Sequence, residues 1–268
     1  MKNKLSKYTV MAMVGLTLAS CSTVPLSGRK QLSLVSDDQI QNQATAAYKE
    51  FLGSPKTKVV TGTSNAAMVK RVGNSIAAAV NQYLTSQGLA SQYNFAWEFN
   101  LIESPDVNAW CMPGGKVAVY TGILPFTANE AGLATVMGHE IAHAIARHSM
   151  EQMSNQYAMQ IGAQVLGVAT TGKSMILQGL VNNAYGIGGQ LALLKYSRAN
   201  ESEADKLGLI FMAMAGYNPE TAVGFWERMA SAKAADSSPE FLSTHPSDVR
   251  RIEDIKRLLP QARQYYKK

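Results

Sequence analysis

The string His139-Glu140-Ile141-Ala142-His143 constrains this chain more than any other feature, because it lies inside a long apolar helical stripe. Leu133, Val136, Met137, Ile141, Ala144 and Ile145 recur at helical spacing with no proline among them, so both histidines belong to one helix. Side chains four residues apart on a helix project from the same face, and two imidazoles so placed can share one Zn²⁺. Glu140 then stands beside the ion as a candidate base. Zinc with three protein ligands keeps a position open and brings the pKa of water there to about 7, and the carboxylate takes the proton as a carbonyl is attacked. The chemistry predicted is zinc-assisted amide hydrolysis. Thr127-Ala128-Asn129-Glu130 is a capping-box pattern that predicts Thr127 as the N-cap of this helix.

A third ligand is needed, and Ser197-Arg198-Ala199-Asn200-Glu201-Ser202-Glu203-Ala204-Asp205 offers candidates. Leu207, Leu209, Ile210, Phe211 and Met214 continue it as an amphipathic helix that Gly216 closes, before Asn218-Pro219-Glu220 opens another. Glu201 and Asp205 share one face. One carboxylate can reach zinc while the second holds a ligand histidine through its other ring N–H. Glu203 points elsewhere. Read from the residues alone, an acidic first turn is explained equally well by the helix macrodipole.

His139-Glu140-x-x-His143 followed by Glu201-x-x-x-Asp205 resembles the paired motif of the zinc metallopeptidase family that contains the CAAX prenyl endopeptidases, the HtpX-type heat-shock proteases and the Oma-type mitochondrial proteases. Asn108 to Gly122 is similar to the segment that precedes the zinc helix in that family. Ser243-Thr244-His245-Pro246, with Arg251-Ile252 after it, extends the match from about Val35 to Leu259. The resemblance implies an α+β, mainly α, zincin-like metallopeptidase domain with a small β-sheet beside the zinc-binding helix. It implies His139, His143 and Glu201 as zinc ligands, Glu140 as general base and Asp205 as the carboxylate behind a ligand. It also implies that His245 lies over the metal, blocking the open position or stabilising the tetrahedral intermediate, with Arg251 near the same site. Backbone at Asn108 and Ala109 would run along the cleft as an exposed edge, where an extended substrate pairs by strand addition.

His148 follows His139 by nine positions and, on the same helix at about 100° per residue, faces the opposite way, so a structural role is expected. Arg147 and Ser149 beside it fit an exposed helix end. Asn94 to Leu101 alternates Phe95, Trp97, Phe99 and Leu101 with polar or small residues, the period of a half-buried strand. Lys116 to Tyr120 reads as a second strand after the Pro113-Gly114-Gly115 turn, and Trp110 is expected to be buried. Ser36-Asp37-Asp38-Gln39 looks like a capping box opening a helix through about Phe51. Val69, Val72, Ile76, Val80 and Leu84 mark a further helix expected to pack on the zinc helix.

Lys2, Lys4 and Lys7 precede an apolar stretch from Tyr8 to Leu18, and Leu18-Ala19-Ser20-Cys21 follows. This is a signal-peptide arrangement too short to span a bilayer stably. Its end resembles the bacterial lipobox, in which Cys21 is diacylated and becomes the first residue. The expected organisation is a leader over 1–20, a lipid anchor and polar tether over 21–35, and a catalytic domain over 36–268. Acyl chains at Cys21 give stable anchoring, and Ser22 is compatible with outer-membrane sorting, the domain facing the periplasm. With Cys21 acylated, Cys111 has no partner for a disulfide and is expected to be buried.

Formal net charge is +6, and the three leader lysines leave +3 for the remainder, a mildly basic surface suited to anionic head groups. No basic run interleaved with aromatics and no zinc-finger cysteine spacing occurs, which excludes a nucleic-acid role. Residues 158 to 194 are rich in Gly, Ala and aliphatic residues but are interrupted by Gln160, Gln164, Lys173, Gln178, Asn182 and Asn183, so a helical hairpin or lid is expected rather than a transmembrane span. Leu258-Leu259-Pro260 is expected to end the last helix, with a short basic tail expected after it in place of the helical-repeat domain that some lipoprotein relatives carry. The function expected is a membrane-anchored zinc endopeptidase acting on misfolded or stalled envelope proteins, with outer-membrane assembly machinery as a possible partner. The alternative is a lipoprotein chaperone or assembly factor whose zinc site is latent and gated by His245.

Overall fold

Val117 and Val119 point to one side of their strand and Ala118 to the other, and this alternation divides the core in two. The computed structural model describes residues 21–165, 196–234, 239–246 and 249–267. Strands β1 (Cys21–Thr23) and β2 (Lys30–Leu32) form a hairpin ahead of α1 (Asp37–Gly53). Next come β3 (Val59–Val60), α2 (Ser64–Ser86), β4 (Glu98–Ile102), β5 (Ala109–Met112) and β6 (Lys116–Tyr120). Helices α3 (Leu124–Thr127), α4 (Glu130–Ile145) and α5 (His148–Val165) follow. Beyond the undescribed stretch lie α6 (Arg198–Met214), α7 (Thr221–Ala234), α8 (Phe241–Thr244) and α9 (Val249–Arg263). The fold is α+β and mainly helical, as the sequence predicts.

The main sheet runs β3-β4-β6-β5, with β4 and β6 parallel and the other pairs antiparallel. Phe99, Leu101, Val117, Val119 and Cys111 face the cluster built by α2 and α4, while Trp110, Met112, Ala118 and Ile102 face Ile40, Ala44 and Tyr48 of α1. Both faces of β5 and β6 are covered, so β5 is buried throughout and β6 from Lys116 to Val119, instead of alternating inside and out. Strand β4 begins at Glu98, later than its alternation suggests. Ahead of it Phe95 and Trp97 stack, Trp97 also stacks on Phe99 inside the strand, and Trp97 lies on Gly115, where a β-carbon would come within 2.6 Å of the indole.

Helix α2 carries Val69, Val72, Ile76, Val80 and Leu84 into the core and packs on α4, as expected. Other expectations are corrected. Asn129, not Thr127, caps α4, its side chain accepting from Gly132 N–H; Thr127 ends the preceding α3 instead. Ser36 precedes α1 but makes no side-chain cap. The zinc-motif helix stops at Ile145, and Arg147 takes φ +56° before α5 begins at His148. Arg147 is not free at an exposed end: it bonds Gln92 O and Asp37 and lies over the Tyr93 ring, and Ser149 is buried. Helix α9 continues through Pro260 to Arg263, because Leu259 and Ala262 are buried on either side of it and packing outweighs the one lost amide bond. The polar stretch after Cys21 is folded onto the body, with Val24 and Gln31 buried.

Among the described residues no helix is long and apolar enough to cross a membrane. Of the segment 158–194, residues up to Val165 complete α5, while the expected hairpin or lid lies outside the described residues, as does the leader over 1–20.

Candidate metal centre

Two glycines set the site. Helices α4 and α6 cross where Gly138 and Gly208 meet: a β-carbon on Gly138 would stand 2.9 Å from Gly208 O, and one on Gly208 would stand 2.8 Å from His139 N. With no side chain at the crossing, the helices approach closely and the first turns of α6 bring Glu201 and Asp205 to the His139 and His143 faces of α4. Ser197 caps α6 through Asn200, a reciprocal capping box that fixes where that first turn starts.

His139, His143, Glu201 and His245 each offer one ligand atom, all mutually within 4.8 Å and all buried. Nε2 of His139 is 3.1 Å from Nε2 of His143 and 3.1 Å from Nδ1 of His245. Glu201 Oε1 lies 3.4 Å from His143 Nε2 and 3.0 Å from His245 Nδ1, and its Oε2 is 3.4 Å from His139 Nε2. Asp205 Oδ1 is 3.0 Å from His139 Nδ1. Asp205 accepts from that Nδ1–H, and in the neutral ring the lone pair is then at Nε2, turned inward toward the other donors. Inward lone pairs and a carboxylate together make a cradle that a cation satisfies.

Charge follows the same geometry. Burial acts to lower His139, but Asp205 and Glu201 override it and push the ring up to about 9. Burial holds His143 well below its ordinary value, against the pull of Glu201. Glu201 is subject to a burial effect that would raise it, yet the facing His245, His139 and His143 hold it far below the usual carboxylate range. Burial raises Glu140, opposed by His245 and His139. Its Oε1 is buried without a hydrogen-bond partner, 3.4 Å from His245 Nε2. A buried, unpartnered carboxylate oxygen beside a cluster of inward donors is suited to taking a proton from a molecule bound between them.

Arg251 occupies the back of the site. Its guanidinium grips both oxygens of Asp205 at 2.8 Å, reaches Glu201 Oε2 and Pro246 O at 3.0 Å, and lies 3.6 Å over the Trp226 ring. It therefore fixes two carboxylates and the loop that presents His245, and its Nη2 lies 3.4 Å from both ring nitrogens of His139. Asn108 and Ala109 lie at the edge strand β5, but both are buried in this state, which corrects the expectation of an exposed edge. Asn108 O accepts from Tyr120 N–H, so the Ala109 N–H points away from the sheet, where the Asn108 side chain accepts it at 2.8 Å.

His148 does not face away from the His139 and His143 side, which corrects the expectation drawn from its spacing on one continuous helix. The break at Arg147 turns it back so that its Nδ1 lies 2.9 Å from His143 Nδ1 and its Nε2 lies 2.9 Å from Glu203. Tyr196, which no sequence signal marked, stacks on His143 with ring centres 4.1 Å apart and shares a hydrogen bond with Ser149. Cys111 is buried, as expected, and burial raises its thiol well above the ordinary value. Cys21 is exposed.

The model for peptidase family M48 matches residues 64–259. The chain is 34% identical over 241 residues to the mitochondrial metalloendopeptidase OMA1 of Schizosaccharomyces pombe, which covers 89% of this chain and 66% of that protein. It is 27% identical over 274 residues to the mitochondrial metalloendopeptidase OMA1 of Homo sapiens, covering 97% and 51%. It is 28% identical over 198 residues to the beta-barrel assembly-enhancing protease of Escherichia coli K12, covering 69% and 40%. The chain thus spans between 40% and 66% of the length of these relatives.

Proposed function

Since the chain belongs to peptidase family M48, we propose that it is a zinc-dependent endopeptidase in which His139, His143 and Glu201 hold the metal and Glu140 is the general base. The observation that carries this reading is the buried His139–His143–Glu201–His245 cluster with the unpartnered Glu140 oxygen beside it. Two imidazoles and a carboxylate are a donor set that suits Zn²⁺, which supplies Lewis acidity and acidifies nearby water to a pKa of about 7. Glu140 takes the proton of the attacking water and returns it to the leaving amine. Asp205 keeps the His139 ring turned inward, and Arg251 keeps Asp205 and Glu201 in place.

His245 is the gate in this reading. Its Nδ1 stands among the other donors, where a substrate carbonyl would otherwise approach, so the arrangement is that of a closed site. The same observation favours a second reading, a lipoprotein chaperone or assembly factor with a latent zinc site.

The proposed organisation is a leader over 1–20, an acylated Cys21 with an anchor region to residue 35, and the catalytic domain over 36–268. The proposed setting is the bacterial envelope, with the domain in the periplasm at the outer membrane. The leader and the exposed Cys21 support it, as does similarity to an Escherichia coli protease named for enhancing β-barrel assembly. Substrates would be misfolded or stalled envelope proteins presented in extended form.

Cleavage of an unfolded reporter protein by the zinc-loaded chain, compared with Glu140→Gln, tests the assignment. The expected result is a rate at least about a hundredfold lower with bound zinc retained. Absence of cleavage by both proteins, with zinc bound in each, would move the conclusion to the latent-site reading.

A further inference from the structure

The hairpin that begins at Cys21 reaches His143 through Arg29, Glu203 and His148. Arg29, beside β2, donates from Nε to Glu203 at 2.8 Å and from Nη1 and Nη2 to Glu151 at 2.6 and 2.9 Å. Ser27 also bonds Glu203. Glu203 Oε2 meets His148 Nε2, and His148 Nδ1 meets His143 Nδ1, both at 2.9 Å.

Donor counting fixes the direction of this chain. A carboxylate between a guanidinium and a hydroxyl is acceptor-only, so it accepts from His148 Nε2–H. A neutral His148 then has only a lone pair at Nδ1, and that lone pair must accept from His143 Nδ1–H. The remaining lone pair of His143 is at Nε2, which faces Glu201 and His139. We infer that Arg29, Glu203 and His148 are positioning residues that fix the tautomer and ring orientation of His143, so that the folded hairpin is part of the metal-binding machinery. Asp205 and Arg251 do the same for His139 from the opposite side, and the two ligand histidines are held by separate carboxylate–arginine pairs.

The competing account is that Arg29 merely staples the hairpin to α5 and α6 through Glu151 and Glu203. Stapling predicts altered stability with unaltered metal exchange. Orientation of a ligand predicts altered metal exchange, because loss of such outer partners typically weakens metal affinity about 10- to 100-fold.

The inference rests on the reading of His143 as a zinc ligand, and the experiment separates the two. Zinc release from the full-length chain to a chromogenic chelator, and the visible spectrum of the Co²⁺-substituted chain, would be compared for wild type, Arg29→Ala, Arg29→Lys and Glu203→Leu. Glu203→Leu is expected to release zinc about 10- to 100-fold faster and to shift the cobalt bands, with Arg29→Ala about tenfold faster and Arg29→Lys between it and wild type. In the Glu203→Leu background, Arg29→Ala should add nothing further to release, since its effect on the metal passes through Glu203. Release and spectra identical to wild type in Arg29→Ala and Glu203→Leu, with only the melting temperature lowered, would overturn the inference and leave the metal reading intact. If Glu203→Leu fails to fold, an unchanged release from Arg29→Ala has the same force. A folded wild type that binds neither zinc nor cobalt would overturn the metal reading and this inference with it.

Discussion

His245 is the residue whose geometry most restricts the chemistry. Its Nδ1 is within 3.2 Å of both Glu201 oxygens and of His139 Nε2, so in the proposed reading a substrate carbonyl entering the cradle displaces it. His245→Ala is therefore expected to raise the rate of reporter cleavage and to weaken zinc retention modestly; a rate lowered more than about tenfold would assign His245 to transition-state stabilisation instead. Glu203 gives a prediction in pH. Burial acts to raise it, but His148, Ser27 and Arg29 outweigh this and hold it at about 2. A carboxylate depressed in the folded state stabilises above its unfolded value of about 4.5 and loses that contribution as pH falls toward about 2. Urea midpoints of wild type and Glu203→Gln should thus differ at pH 6 and converge toward pH 3, and a constant gap would show that Glu203 stabilises by shape and not by charge. At this scale the site was largely legible: the His-Glu-x-x-His spacing located the pair on α4. His148 was not, because its position depends on a helix break that the sequence does not mark.

That break lies at the scale of elements. The apolar stripe of α4 runs on past Ile145 with no Gly, Asn or Pro to stop it, yet Arg147 adopts a left-handed backbone. What holds Arg147 there is Asp37, Gln92 O and the Tyr93 ring, which are distant in sequence and invisible to any local pattern. The same limit explains the misplaced cap: Thr127 and Asn129 both suit an N-cap, and the short α3 claims the first. The α4–α6 crossing yields a prediction. Gly208→Ala gains about 1 kcal/mol of helix preference, against about 1–3 kcal/mol for overpacking backbone that cannot move aside. A small net loss of stability is expected, with a larger loss of zinc affinity, because separating the helices carries Glu201 away from both histidines and such sites tolerate only about 0.5 Å. Calorimetric titration with zinc beside a thermal melt checks this, and zinc affinity equal to wild type would show that the crossing does not set the site.

Across the whole molecule, the proposed membrane attachment and the metal centre are joined by one short hairpin. Cys21 pairs with Leu32, and between them Val24 is buried and Arg29 grips α5 and α6, so an acyl chain on Cys21 would leave little free length between bilayer and catalytic body. Two forces could then hold the molecule at a membrane. The net charge of +3 beyond the leader is a weak attraction, which a Debye length of about 3 Å at 1 M salt removes. Acyl burial, at about 0.8 kcal/mol per CH₂, is insensitive to salt. The chain processed in a lipoprotein-competent cell is therefore expected to float with membrane vesicles through a 1 M salt wash. Cys21→Ser should remain in the soluble fraction and cleave a diffusible unfolded reporter at the wild-type rate. Its cleavage of a membrane-stalled substrate should fall, because proximity raises effective concentration only for substrates on the same surface. Release of the wild type by salt would assign attachment to charge, and equal flotation of Cys21→Ser would place the anchor elsewhere in the chain.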